Sequence, residues 1–140
     1  MEIRKSTPED SKFIESLDKE NMKSIVEINE GKYYPYWLGD FNPEKCFILE
    51  EKEPLGFLYI HNPGNKLNII NIQIRKSFQG RGYGKALLKK AIQLAKKNNI
   101  KKIFLETYDN NKLARKFYKK QGFRETGKTS KNKTGFELRL

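Results

Sequence analysis

An α/β sandwich with at least one parallel pair of strands is the fold the sequence predicts. Three observations carry that expectation. From residue 67 onward the order reads strand, helix, strand, helix, strand; residues 82–98 form a strong amphipathic helix pattern; and the flanking runs are short, apolar and rich in isoleucine.

The elements follow in order. Residues 1–5 read as a short edge strand. Thr7-Pro8-Glu9-Asp10 then offers a helix N-cap, a proline at the first helical position and acids in the first turn. Phe13, Ile14 and Leu17 follow at helical spacing, and Met22, Ile25, Val26 and Ile28 predict a second helix. Residues 31–43 break the periodicity and are dense in aromatics: Tyr33, Tyr34, Tyr36, Trp37 and Phe41. Residues 46–50 and 55–60 are strand-like, separated by the turn Glu51-Lys52-Glu53-Pro54. Residues 67–74 alternate through Leu67 and Ile69, then through Ile70, Ile72 and Ile74, and this change of phase predicts a bulge. The 82–98 helix puts Leu87, Leu88, Ala91, Ile92, Leu94 and Ala95 on its inner side. Residues 101–107 read as a strand, 111–120 as a helix with Gly122 as its stop, and 123–126 and 135–140 as closing strands. No repeat, linker or domain boundary is visible.

Composition bounds the function. A chain of 140 residues can bury one core without disulfides or metals. No apolar run approaches the roughly 20 residues of a membrane span, and the first ten residues hold no apolar stretch that would serve as a leader. Cys46 is the only cysteine, which excludes a disulfide framework or thiolate cluster and fits a reducing, cytoplasmic compartment. The net charge of +12 is spread over helix surfaces, as at Lys89, Lys90, Lys96 and Lys97. A solvated surface is therefore the expected reading, and nucleic acid is not an expected partner; a polyanionic small molecule would balance part of the charge.

The chemistry concentrates at Gln79-Gly80-Arg81-Gly82-Tyr83-Gly84-Lys85, between the isoleucine-rich strand and the long helix. Three glycines in five residues let the chain wrap tightly and expose successive backbone N–H groups. With the positive end of the following helix, these make a phosphate site. A P-loop would need glycine at 79 and Ser or Thr at 86, where the chain has Gln79 and Ala86. A dinucleotide fingerprint starting at Gly80 would want glycine or alanine at Lys85, and it would sit too late in the chain.

The segment Gln79 to Leu88, following a hydrophobic strand, resembles the acetyl-CoA signature of the GCN5-related N-acetyltransferase (GNAT) superfamily, written Gln/Arg-x-x-Gly-x-Gly/Ala. Further on, Asn111-x-x-Ala114-x-x-x-Tyr118-x-x-x-Gly122-Phe123 is similar to its second signature, and Ile3-Arg4 with Pro8-Glu9-Asp10 looks like its first strand and helix. The likeness is loose over residues 1–30 and close over 45–126. It implies one N-acetyltransferase domain over residues 1–140, with a mixed, mostly antiparallel twisted sheet and flanking helices. The fourth and fifth strands would splay apart to admit the pantetheine arm of acetyl-CoA, a co-substrate, with no metal.

On this resemblance, backbone groups of Ile72 and Ile74 pair with the arm and the N–H groups from Gln79 to Lys85 hold the pyrophosphate. Asn111 bonds the pantetheine amides, although it suits a helix N-cap equally well. Tyr118 would protonate the departing sulfur; core packing beside Phe117 is its other reading. Many histone-acetylating relatives carry a glutamate base where this chain has Asn68, which cannot act as one. Glu106, twelve residues before Tyr118, is the substitute base, with a surface ion pair or a water relay as alternatives. His61 reads as a turn residue. Cys46 has no adjacent base, so direct transfer through a ternary complex is expected rather than an acetyl-enzyme. The acceptor would be a small-molecule primary amine or a peptide N-terminus: polyamine, aminoglycoside and amino acid all fit. Residues 33–37 either line its pocket or fill the core. A non-catalytic acyl-CoA sensor and a basic RNA- or ribosome-associated module are the alternatives, and homodimerisation stays open.

Overall fold

The computed structural model describes residues 1–140. Seven strands form one sheet in the order β1-β2-β3-β4-β5-β7-β6. The strands β1 (Glu2–Lys5), β2 (Cys46–Glu50), β3 (Pro54–His61) and β4 (Leu67–Ile74) form an antiparallel run. The strand β5 (Lys102–Tyr108) lies parallel to β4, reached through the crossover helix α2 (Tyr83–Lys97). After α3 (Lys112–Lys120), the hairpin of β6 (Arg124–Ser130) and β7 (Lys133–Arg139) inserts β7 beside β5 and leaves β6 at the edge. No helix is long and apolar enough to cross a membrane.

Strand alternation sorts the apolar residues onto two faces. In β2, Phe47 and Leu49 join the larger core beneath α2 and α3, with Leu87, Leu88, Ala91 and Tyr118. Their neighbours Cys46 and Ile48 join Ile14, Leu17, Phe57 and Tyr59 beneath α1 (Ser11–Glu30). The bulge in β4 lies where the phase change predicts it. Tyr59 pairs with Asn71 and Ile60 with Ile69, leaving Ile70 as the extra residue. Without it, Leu67 and Ile69 would face the opposite way from Ile72 and Ile74. With it, all four reach the core under α2 and α3, and Asn71 and Gln73 turn toward α1.

Two expected helices prove to be one. The polar residues Asp18 and Asn21 interrupt the apolar stripe of α1, but nothing there breaks a helix. Both sit against the sheet with partners: Asp18 accepts from Gln73 (2.7 Å), and Asn21 donates to the Ile74 carbonyl (3.0 Å). Gly31, at φ +80°, ends the helix. The last two strands also differ at their bounds. β6 runs on to Ser130 with every residue exposed, so no apolar alternation marks its length. His61 closes β3 rather than standing in the turn beyond it.

Arg4 ties β1 to the start of α1. Its guanidinium donates to both Asp10 oxygens (2.9 and 3.0 Å) and to both of Glu50 (2.9 and 3.3 Å), while Asp10 also accepts the Thr7 N–H (2.8 Å). Hydrogen bonding from Arg4 holds the Asp10 carboxyl below its usual range. A depressed acid contributes stability that is present above its ordinary value, about 3.9, and is lost as pH falls through the folded one. Asp10→Asn should therefore lower stability by roughly 1–3 kcal/mol at neutral pH, with the deficit shrinking near pH ~2. Urea melts at both pH values test this; an undiminished deficit in acid would refute the ion-pair account.

Candidate active site

The parallel pair β4–β5 is joined only at Leu67–Ile103 and Asn68–Phe104. Beyond Asn68 the two strands part. A cavity of about 270 Å³ lies between them, lined by residues 69–73 of β4 and 105–108 of β5. Asp18, Met22 and Val26 of α1 close one side, Asn111, Ala114 and Tyr118 close another, and residues 34–37 with Lys133 stand around it. A bulge bends its strand, and the one at Ile70 lies just past the last β4–β5 pair, where the two strands part. Arg75 N–H donates to the Leu55 carbonyl (2.9 Å), and antiparallel alternation then turns the N–H groups of Ile72 and Ile74 away from β3. They point toward the gap. The Ile74 carbonyl is already engaged, accepting from Asn21 and from the Gln79 side chain (2.9 Å).

That Gln79 amide anchors the glycine loop to the end of β4. Gln79's own N–H bonds to the Lys76 carbonyl (3.3 Å), so its side chain rather than its backbone serves the loop. Gly80 and Gly82 have φ of +78° and +89°, which favours glycine, and no heavy atom stands within 4 Å of where either Cβ would be. The loop is open on that side. Ala86 N–H to the Gly82 carbonyl (3.0 Å) is the first bond of α2, and the N–H groups from Gly80 to Lys85 have no backbone acceptor. Six unfilled donors at the positive end of a 15-residue helix form an anion cradle. The Arg81 guanidinium lies over the Phe78 ring at 5.1 Å, and Tyr83 turns out to Glu51 (3.1 Å). Gly84 lets Phe117 of α3 come within 3.4 Å of its Cβ position, which locks the loop's helix against α3.

Tyr118 is buried among Phe117, Phe123 and Phe136 on the α2–α3 face of the sheet, and it borders the cavity. Burial alone pushes its hydroxyl well above the usual phenol range. Glu106 lies on the other face of β5, where its neighbour Tyr108 reaches Glu30 of α1 (3.3 Å). The two candidate proton-transfer groups thus meet the gap from opposite sides of the sheet. The Glu106 side chain is 43 % exposed and stands 3.8 Å from Lys133 Nζ. The Asn111 side chain caps α3 by accepting the Ala114 N–H (3.3 Å) while it lines the cavity. Asn68 sits where the strands still pair, with its oxygen buried and unpartnered. Cys46 is enclosed beneath α1, away from the cavity, and burial pushes its thiol up to about 12, which disqualifies it as a nucleophile.

The aromatic segment divides its work. Tyr33 donates to Asp18 (2.5 Å), and Trp37 donates to the same carboxylate (3.2 Å) and stacks on Phe57 at 5.4 Å. Tyr34 and Tyr36 meet edge to face at 4.7 Å and stay largely exposed by the cavity. Asp18, Gln73 and Lys133 are among the wall residues not expected from sequence. Asp18 is 2 % exposed and accepts from Tyr33, Trp37 and Gln73, all neutral donors. A carboxylate on an otherwise apolar helix stripe was the available signal for it. Lys133 lies in a closing strand where no pattern marks it.

Comparison with known proteins accords with this geometry. Residues 12–123 match the profile of the "Acetyltransferase (GNAT) family". The uncharacterized N-acetyltransferase YycN of Bacillus subtilis is 34 % identical over 82 residues, covering 56 % of this chain and 53 % of that protein. The [ribosomal protein bS18]-alanine N-acetyltransferase of Haemophilus influenzae is 33 % identical over 78 residues, again 56 % of this chain and 53 % of its own. The chain thus spans about half the length of these curated relatives. In three dimensions the PaiA N-acetyltransferase of Thermoplasma acidophilum, solved in complex with coenzyme A, superposes with a TM-score of 0.81 at 21 % identity, covering 99 % of this chain and 98 % of that one.

Proposed function

The chain belongs to the acetyltransferase (GNAT) family, and from that premise we propose that it moves the acetyl group of acetyl-CoA directly to a primary amine within a ternary complex. One observation carries the reading. The unfilled N–H groups of the glycine loop lie at one end of the β4–β5 gap, and Glu106 and Tyr118 line a cavity within it. An extended molecule with a pyrophosphate at one end and a thioester at the other fits that layout.

In this proposal the N–H groups from Gly80 to Lys85 hold the pyrophosphate, and β4 pairs with the pantetheine arm through Ile72 and Ile74. Asn111 can bond the arm while keeping its cap. The N–H of Ile72, which lines the cavity, can polarise the thioester carbonyl, while that of Ile74, beside the loop, serves the arm. Glu106, directly or through water, takes the proton that an ammonium must lose before its nitrogen can attack. As the N–C bond forms and the C–S bond breaks, the attacking nitrogen sheds its second proton to water, and Tyr118 donates its proton to the leaving sulfur and regains one from solvent. The raised phenol keeps that proton in place at neutral pH. The acceptor is a small amine or a peptide N-terminus; the bS18-alanine acetyltransferase among the relatives supports the second of these.

Release of free thiol from acetyl-CoA on addition of primary amines tests the activity. Initial rates should give intersecting double-reciprocal lines, because no nucleophile is available to hold the acetyl group between substrates. Parallel lines, or acetyl trapped on the protein as an intermediate, would overturn direct transfer.

A further inference from the structure

The chain carries 29 lysines and arginines, yet only one of them, Lys133, lines the cavity between β4 and β5. Two carboxylates, Asp18 and Glu106, line it as well. In a protein of net charge +12, this wall has more carboxylates than cations. The polarity suits an anionic group at the glycine loop and a cationic one here.

Lys133 is held loosely. Its ammonium is 3.8 Å from a Glu106 oxygen, beyond hydrogen-bonding distance, and 4.7 Å from the centre of the Tyr108 ring. No other acid pairs with it, and its side chain remains 31 % exposed. It is set opposite Tyr108 on β5, directly after the two-residue turn at Lys131-Asn132, so its stem can swing outward without disturbing the ladder. A carboxylate and an aromatic face together make up a site for a primary alkylammonium, and a primary alkylammonium already stands in it.

We propose that Lys133 is an internal occupant of the acceptor's ammonium position, and that the acceptor is a primary alkylammonium that displaces it from Glu106 and Tyr108. The assignment rests on the reading of this cavity as the acceptor's. Displacement exchanges one cation for another, so the charge of the wall is unchanged and a neutral molecule gains nothing by entering. It also frees Glu106 to act on the incoming amine. Lys133 is thereby a specificity-determining residue: it raises the concentration of acceptor needed and selects against uncharged competitors.

The test detaches the lysine side chain. In Lys133→Ala, n-butylamine supplies the removed ammonium and all of its stem, and binding is followed by NMR titration of the protein without acetyl-CoA. The variant should bind n-butylamine about tenfold more tightly than wild type, the size of one exposed ion pair plus one ring contact. n-Butanol should show no such gain, Lys133→Arg should behave as wild type, and adding Glu106→Gln to Lys133→Ala should erase the gain. Equal n-butylamine binding by wild type and Lys133→Ala overturns the proposal, as does an equal gain for n-butanol or a gain that survives Glu106→Gln. Because this readout needs no turnover, the expected gain without thiol release from acetyl-CoA would sink the transfer reaction and leave the cation site standing.

Discussion

Gly82→Asp should weaken acetyl-CoA binding by at least about 100-fold in a protein that stays folded. The fold is safe for two reasons. No heavy atom lies within 4 Å of the Cβ position, and Asp both tolerates a positive φ better than most residues and suits the N-cap that Gly82 occupies. The loss comes from the site itself. A carboxylate at the mouth of the Gly80–Lys85 donor array competes for those N–H groups and repels a pyrophosphate, and each hydrogen bond to a charged group is worth about 1.5–3 kcal/mol. One or two such bonds account for the expected factor. Gly82→Ala separates backbone from charge: it keeps the φ strain, roughly 1–2 kcal/mol, without the repulsion, and should lose much less affinity. Calorimetry on both variants decides. Near-wild-type affinity in folded Gly82→Asp would remove the loop from the cofactor site.

The glycine loop was legible in the sequence because its constraint is local. Positive φ at Gly80 and Gly82 and a helix starting at once need only a few consecutive residues to declare themselves. The bulge at Ile70 was legible for the same reason, since one added residue reverses a period of two. Elements whose identity depends on distant partners were not. The helix α1 read as two helices because Asp18 and Asn21 fall on its buried stripe, and the groups that satisfy them come from residues 33, 37, 73 and 74. The same side chain that hid the helix's continuity, Asp18, turned out to be a cavity wall. The strand β6 is exposed throughout and takes its extended form from pairing with β7, a contact that leaves no hydrophobic trace. Residues 33–37 could not be divided between core and pocket from composition. The division follows from which rings reach Asp18 and Phe57 across the chain.

The two proton-transfer groups should separate by mutation and by pH. Tyr118→Phe removes one hydroxyl and keeps the ring among Phe117, Phe123 and Phe136. The hydroxyl has burial against it and no fixed charge beside it, so its raised phenol stays protonated through neutral pH and well into the alkaline range. It can donate throughout that range. Its loss should lower kcat roughly 10²-fold, the low end for a general acid, with little change in acetyl-CoA affinity. Some activity should survive, because a thiolate can depart without its proton. Glu106→Gln should fail differently. It keeps the shape and loses the base, so the reaction then depends on free amine already present. An alkylamine of ordinary basicity, with a pKa near ~10.4, is mostly protonated at neutral pH, and its free fraction grows about tenfold per pH unit. Activity of Glu106→Gln should climb with pH toward that of wild type, whereas Tyr118→Phe should stay depressed across the same range. An unchanged kcat in Tyr118→Phe would reduce the tyrosine to packing. A Glu106→Gln profile that overlays wild type at every pH would transfer the base's role to water.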